Sequence, residues 1–173
     1  LVVIHCRFSE LASQLKDHIV FGLLADLGFS SDQLEDHGRG LSFMRDGPLD
    51  MRLDPRRKQS CMEFLAEINE EKLTRVLFEF GEERFSRRIA QAIIQSRNLG
   101  QLPSTTTGLA ALITRAVPPK FRHGRIHAAT RSFQALRICV NQEIDELDCL
   151  LNHVILSLKS GGRVAILSFH SLE

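Results

Sequence analysis

The stretch FGLLADLGFSSDQL, residues 21–34, decides the fold. Its opening is almost wholly apolar and ends in Asp26, Leu27 and Gly28. A continuous rather than alternating apolar run of this length reads as a buried strand of a parallel sheet covered on both faces. Two hydroxyls, Ser30 and Ser31, and the amide of Gln33 follow at once. Ligands of open parallel sheets bind beyond the carboxyl ends of the strands, so a polar tip here is a candidate site. Spacing alone makes this a weak signal, because Asp before Gly is more often only a turn.

Working outward, residues 1–4 (LVVI) read as a short strand already under way, and residues 9–20 fit one amphipathic helix. The rhythm is β-α-β, which implies an α/β fold. It stops at residues 38–60, rich in Gly, Pro, Asp and Arg without either period, which read as a long ordered loop. Asp46-Gly47-Pro48 is a turn within it.

Helices come next. Asn69 can cap EEKLTRVLFEF with Gly81 as its stop, and Phe85, Ile89 and Ile93 form a stripe on the following helix. Residues 105–107 (TTT) can cap a third helix ending near Val117, before Pro118-Pro119. Phe133, Leu136, Val140, Ile144, Leu147 and Leu151 step by threes and fours along two successive helices. Gly161-Gly162 ends that stretch, and RVAILSF (residues 163–169) is a last strand stopping at His170-Ser171. The expected organisation is a partial α/β sheet in residues 1–37 and 130–173 with an inserted loop and helical subdomain in 38–129. Opening inside a strand without Met, the chain reads as a piece of a longer protein.

Charge divides along the chain. From position 84 to 142 there are ten cations, nine of them Arg, and no Asp or Glu, while the whole chain sums to +1. The flanks are therefore acidic and the helical block basic, which points to a polyanionic partner. Arginine suits bidentate phosphate contact, so a nucleic acid is expected ahead of a merely solvated face. Without Trp or Tyr, stacking on a base must come from Phe, His or Arg. Cys6, Cys61, Cys139 and Cys149 form no C-x-x-C pair and read as free thiols. With no run of the roughly 18 apolar residues a span needs and no signal-peptide layout, no membrane association is expected. His123 and His127 are four apart, but with Gly124 between them and no Cys or carboxylate nearby no metal is expected.

Five segments carry a resemblance: DLGFSSDQL (26–34), RGLSFMRDGPLDMRLDP (39–55), GEERFSRRIAQAI (81–93), HAATRSFQALRICVNQEIDEL (127–147) and GGRVAILSFHSLE (161–173). Together they resemble the ribosomal RNA small subunit methyltransferase H family, in order and over nearly the whole chain. Leu41, Leu53 and Ala128 depart from that family's usual Phe, Met and Pro as mild packing changes.

The resemblance implies a Rossmann-like class I methyltransferase sheet that transfers a methyl group from S-adenosyl-L-methionine to N4 of a cytosine in the decoding region of 16S rRNA. It implies cofactor contacts at Phe8, Asp26 and Gln33, and places the family's glycine-rich cofactor loop before Leu1. The exocyclic amine must be held near the methyl and offered an acceptor. Asp26 is the first candidate, with Ser30, Ser31 and His170 beside it. Arg39, Arg45, Arg52, Arg122, Arg125, Arg131 and Arg137 are the expected RNA contacts. The partner implied is 16S rRNA in the small ribosomal subunit, in the bacterial cytoplasm ahead of a mitochondrion, and a homodimer stays open as the assembly. Two other readings compete: a non-catalytic RNA-binding remnant, against which the polar tip argues, and a DNA amino-methyltransferase, which would carry a P-P-aromatic motif where this chain has DLGFSS.

Overall fold

The computed structural model describes residues 1–15 and 19–170, with the side chains of Ser31, Glu35, Val154 and Ile155 outside the description. In chain order its elements are α1 (Leu11–Leu15), β1 (Val20–Asp26), α2 (Ser31–Glu35), α3 (Cys61–Glu67), α4 (Glu70–Glu79), α5 (Ser86–Asn98), α6 (Thr106–Ala116), α7 (Thr130–Asn141), α8 (Glu143–Ser157) and β2 (Leu158–Leu167). Short 3₁₀ turns lie at Phe8–Glu10, His37–Arg39 and Pro119–Phe121. Two compact units result: Leu1–Phe29 with Gln142–Glu173, and Ser30–Asn141. No helix among the described residues is long and apolar enough to cross a membrane.

In the first unit β1 and β2 pair in parallel, from Gly22↔Arg163 to Asp26↔Leu167. Leu23, Ala25 and Leu27 alternate onto one face, where they pack with Phe8, Leu11, Leu147, Leu150 and Leu158. Contrary to the expectation of a sheet covered on both faces, Leu24, Val164, Ile166 and Leu167 are exposed. Residues 1–4 also depart from expectation, being exposed and without regular structure. A strand exists only by pairing its backbone, and β1 and β2 are the whole sheet among the described residues. The helix expected over residues 9–20 is confined to α1, residue 20 already belongs to β1, and residues 16–18 lie outside the described ones.

Gly161-Gly162 does not end the helical stretch either. The helix stops at Ser157 and β2 runs through both glycines. Between Val20↔Leu158 and Gly22↔Arg163, β2 advances five residues while β1 advances two, so the excess bulges out. Gly161 takes φ +82°, a conformation that favours glycine, and a Cβ on Gly162 would lie 3.1 Å from the Phe21 carbonyl oxygen.

The helical unit has the larger core. Leu73 and Leu77 of α4, Ile89 and Ile93 of α5, Leu109 and Ile113 of α6, and Leu136 of α7 are all fully buried. Each such side chain contributes roughly 1.5–3 kcal/mol relative to exposure. The expected caps are present: Asn69 accepts from Lys72 N–H at 2.9 Å and Thr105 from Gly108 N–H at 3.3 Å. Phe133, Leu136 and Val140 belong to this core, so the compact helical unit extends beyond residues 38–129 to include α7. It ends at Asn141, and the next residue, Gln142, is left-handed at φ +50° and stands at the N-cap of α8.

Residues 40–60 form the expected long loop, ordered because its backbone polar groups are satisfied. Asn141 accepts from Leu53 N–H at 2.8 Å and donates to the Met51 carbonyl at 2.7 Å. Leu49 N–H donates to Ser104, Thr106 N–H to Gly47, and Cys61 N–H to Asp50. Met51 is held at φ +63° with its side chain fully buried.

Gly81 was expected as a helix stop. It stands just past α4, which ends at Glu79 with Phe80 as C-cap, and it also packs closely: a Cβ there would lie 2.5 Å from the Arg131 carbonyl oxygen and 2.8 Å from that of Leu77. Gly81→Ala should therefore force α4 and α7 apart and cost about 1–3 kcal/mol, read as a lower denaturant midpoint; an unchanged midpoint would show that the contact yields freely.

Candidate active site and nucleic-acid interface

Because β1 and β2 are parallel and Asp26 is in register with Leu167, Asp26 and residues 168–170 leave the sheet at the same edge. Asp26 is exposed and its carboxylate has no partner among the described residues. Gly28 sits at φ +101° with nothing within 4 Å of a would-be Cβ, so the backbone after the strand faces open space. Ser168 Oγ donates to the His170 carbonyl at 3.1 Å, turning the end of this segment, and Ser171 lies outside the described residues. Phe8 is half-buried against the small core. Its turn is tied to α8 by Ser9 N–H, which donates to a Glu146 carboxylate oxygen at 2.9 Å.

Ser30 and Gln33 stand in the other unit and are joined there. Ser30 Oγ accepts from Gln33 N–H at 3.3 Å, and Gln33 Oε1 accepts from Ser30 N–H at 3.0 Å. This reciprocal pair caps α2, in which Ser31 is the first residue. The Ser31 side chain lies outside the described residues.

The candidate arginines divide by what their guanidinium groups touch. Arg52 forks onto Asp50 with Nε–Oδ1 at 2.7 Å and Nη2–Oδ2 at 2.8 Å, and its Nη1 donates to the Arg57 carbonyl at 3.0 Å. Arg39 binds Asp36 at 3.1 Å and the Leu53 carbonyl at 3.0 Å. Arg122 closes the end of α6, donating to the carbonyls of Val117 at 2.8 Å and Arg115 at 2.9 Å. These three brace the backbone. Arg45 is exposed and donates to His37 Nε2 at 2.8 Å, a bond that requires that nitrogen to be unprotonated. Arg137 is half-buried along α7 and is itself partnered. Arg125 and Arg131 are exposed with no side-chain partner among the described residues, and so are Arg87, Arg88 and Arg115, which sequence reasoning left out of its contact set.

With that geometry in place, the comparisons with known proteins are decisive. The model of the MraW methylase family matches residues 1–173. The chain belongs to the MraW methylase family. Similar proteins include the ribosomal RNA small subunit methyltransferase H of Acidithiobacillus ferrooxidans, 49% identical over 96% of this chain and 52% of the relative. Those of Pseudoalteromonas atlantica (48%, 98% and 55%) and Chromohalobacter salexigens (46%, 98% and 51%) are also similar. The chain thus spans about half the length of the curated relatives it matches.

In this MraW family chain, sequence reasoning also missed two features that depend on tertiary contacts. Arg97 Nη1 donates to the carbonyls of Leu65, Ala66 and Ile68 at 3.1, 3.2 and 2.6 Å, closing the end of α3 from α5. Arg84 lies 4.0 Å over the Phe121 ring and 4.8 Å over Phe85. Of the thiols, Cys61 is fully buried and burial pushes its pKa far up, so it is not a nucleophile.

The Asp50–Arg52 pair gives this loop a pH dependence. Hydrogen bonds from Arg52 hold the Asp50 carboxyl below its usual range. A depressed folded-state pKa contributes stability above the unfolded pKa and loses it as pH falls through the folded one. Asp50→Asn should cost about 1 kcal/mol at neutral pH, the pair being partly exposed, and the deficit should shrink below about pH 4. Urea unfolding across that range checks this, and a deficit independent of pH would contradict it.

Proposed function

We propose that this chain supplies the acceptor tip and the RNA-binding helical unit of an S-adenosyl-L-methionine-dependent methyltransferase that modifies N4 of a cytosine in the decoding region of 16S rRNA. The carrying observation is an exposed Asp26, without a partner among the described residues, at the carboxyl edge of a parallel pair in a chain of the MraW methylase family. The shared name of the relatives supports the ribosomal substrate, and their bacterial sources support a bacterial cytoplasmic location.

The residues present fit the methyl donor. Asp26 offers an exposed acceptor, Gly28 leaves space beside it, and Phe8 stands at the turn packed under the same strand. When bound, S-adenosyl-L-methionine supplies an electrophilic methyl on a sulfonium. The N4 lone pair of cytosine is delocalised into the ring, so the protein must orient it along the line of transfer. Asp26 accepts a hydrogen bond from the amine, raises the electron density on nitrogen, and takes the proton released as the new C–N bond forms. Ser30 and Gln33 shape the segment that follows by capping α2, and His170 lies on the neighbouring strand's exit. Arg87, Arg88, Arg115, Arg125 and Arg131 hold phosphates, as exposed guanidinium groups not committed to the backbone. Arg39, Arg52 and Arg122 act on RNA through the loops they brace.

The full-length protein, incubated with labelled S-adenosyl-L-methionine and unmethylated small subunits, should yield N4-methylcytidine on nucleoside mass spectrometry. Asp26→Asn should lower that yield about 100-fold or more while RNA binding persists. Tight RNA binding without any methyl transfer by the unaltered protein would instead favour the non-catalytic remnant.

A further inference from the structure

Glu83 is only 4% exposed, a rare place for a carboxylate. One of its oxygens accepts from Phe85 N–H at 2.9 Å, and the other has no partner among the described residues. That second oxygen is not sealed from solvent, so it can exchange water for a donor that enters from outside. Glu83 lines a recess of about 260 Å³ whose walls include Arg84, Phe85, Phe121, His127 and Arg131. That volume is near the lower end of the roughly 300–1,000 Å³ typical of small-molecule sites, and suits one ring system rather than a whole cofactor.

The walls have the chemistry of a base-stacking platform. The Phe85 and Phe121 rings lie 5.2 Å apart at 42°, with the Arg84 guanidinium over both. Unstacked RNA bases pack on such aromatic and guanidinium planes. Arg131 and Lys120 add exposed positive charge for the adjoining phosphates.

We propose that this recess captures an unstacked guanine of the RNA, a nucleotide other than the cytosine that is methylated; this rests on the RNA-substrate reading above. The acceptor decides the base. A carboxylate accepts only, and guanine alone presents two adjacent donors, N1–H and the 2-amino group, on one edge. Cytosine and adenine would set a ring-nitrogen acceptor against Glu83, and uracil flanks its single N–H with two carbonyls. The oxygen already bound to Phe85 N–H keeps a second lone pair, so both carboxylate oxygens can serve.

The test uses the full-length protein without methyl donor and two uridine-rich decaribonucleotides, one with a central guanosine and one with inosine, which lacks only the 2-amino group. Fluorescence anisotropy should show guanosine RNA bound about tenfold more tightly. Glu83→Gln should abolish that preference, with its thermal midpoint recorded to confirm folding. Phe121→Ala, at an exposed ring, should weaken both RNAs and tests the platform even where the Glu83 variant fails to fold. Equal binding of the two RNAs by the unaltered protein, a preference surviving in Glu83→Gln, or undiminished binding by Phe121→Ala would overturn the proposal. A protein that prefers guanosine yet makes no N4-methylcytidine would leave this site standing and remove the functional reading, and the converse result would do the reverse.

Discussion

The side-chain amide of Asn141 holds together the part of the helical unit that has no secondary structure of its own. Its oxygen accepts from Leu53 N–H, while its nitrogen donates to the carbonyls of Met51 and Arg137. An amide carries an acceptor oxygen beside two N–H donors, so it can satisfy a donor and an acceptor of the same loop at once. Buried at 3% exposure, it forms these bonds in a setting where a lost partner would be left without water. The left-handed Met51 and Arg52 lie within that clamp, and the buried Leu49 and Asp50, the partner of Arg52, directly precede it.

From this anchoring follows the division of the arginines. Backbone without a ladder leaves carbonyls at helix ends and loop turns, and guanidinium groups are the donors that reach them. Arg97 serves α3, Arg122 serves α6, and Arg39 and Arg52 serve the loop. A basic segment is thus partly a scaffold, and on the proposed reading phosphate binding falls to the cations that the backbone does not use. The pH-sensitive Asp50–Arg52 pair belongs to the scaffold, whereas the Glu83 recess is lined by side chains that the loops do not use as braces.

How far this was legible in the sequence depended on range. The caps at Asn69 and Thr105 were readable because cap and acceptor stand three residues apart. The stripe through Ile89 and Ile93 was readable because helical period is local. Residues 1–4 were misread because β-propensity says that a segment suits a sheet, not that a neighbour is there to pair with it. Gly81 reads as punctuation, and it does follow α4, but the close approach of the Arg131 carbonyl that also requires a glycine there comes from 50 residues away. At the candidate site, Asp26 stood out as a polar residue ending an apolar run. Arg52 could not be told from Arg125, since only the folded chain brings Asp50 and the Arg57 carbonyl against one and leaves the other without a partner among the described residues. Glu83 gave no local signal, because the recess it lines is completed by Phe121, His127 and Arg131, far along the chain.

The central claim is that residues 30–141 carry the RNA while the strand edge at Asp26 carries the chemistry. Ultraviolet cross-linking of the full-length protein to unmethylated small subunits, followed by peptide mass spectrometry, addresses it most directly. The expected cross-links fall on peptides containing Phe85, Phe121 and Arg125, joined to 16S rRNA. Cross-links confined to residues 1–29 and 142–173, with none in the helical unit, would contradict the account.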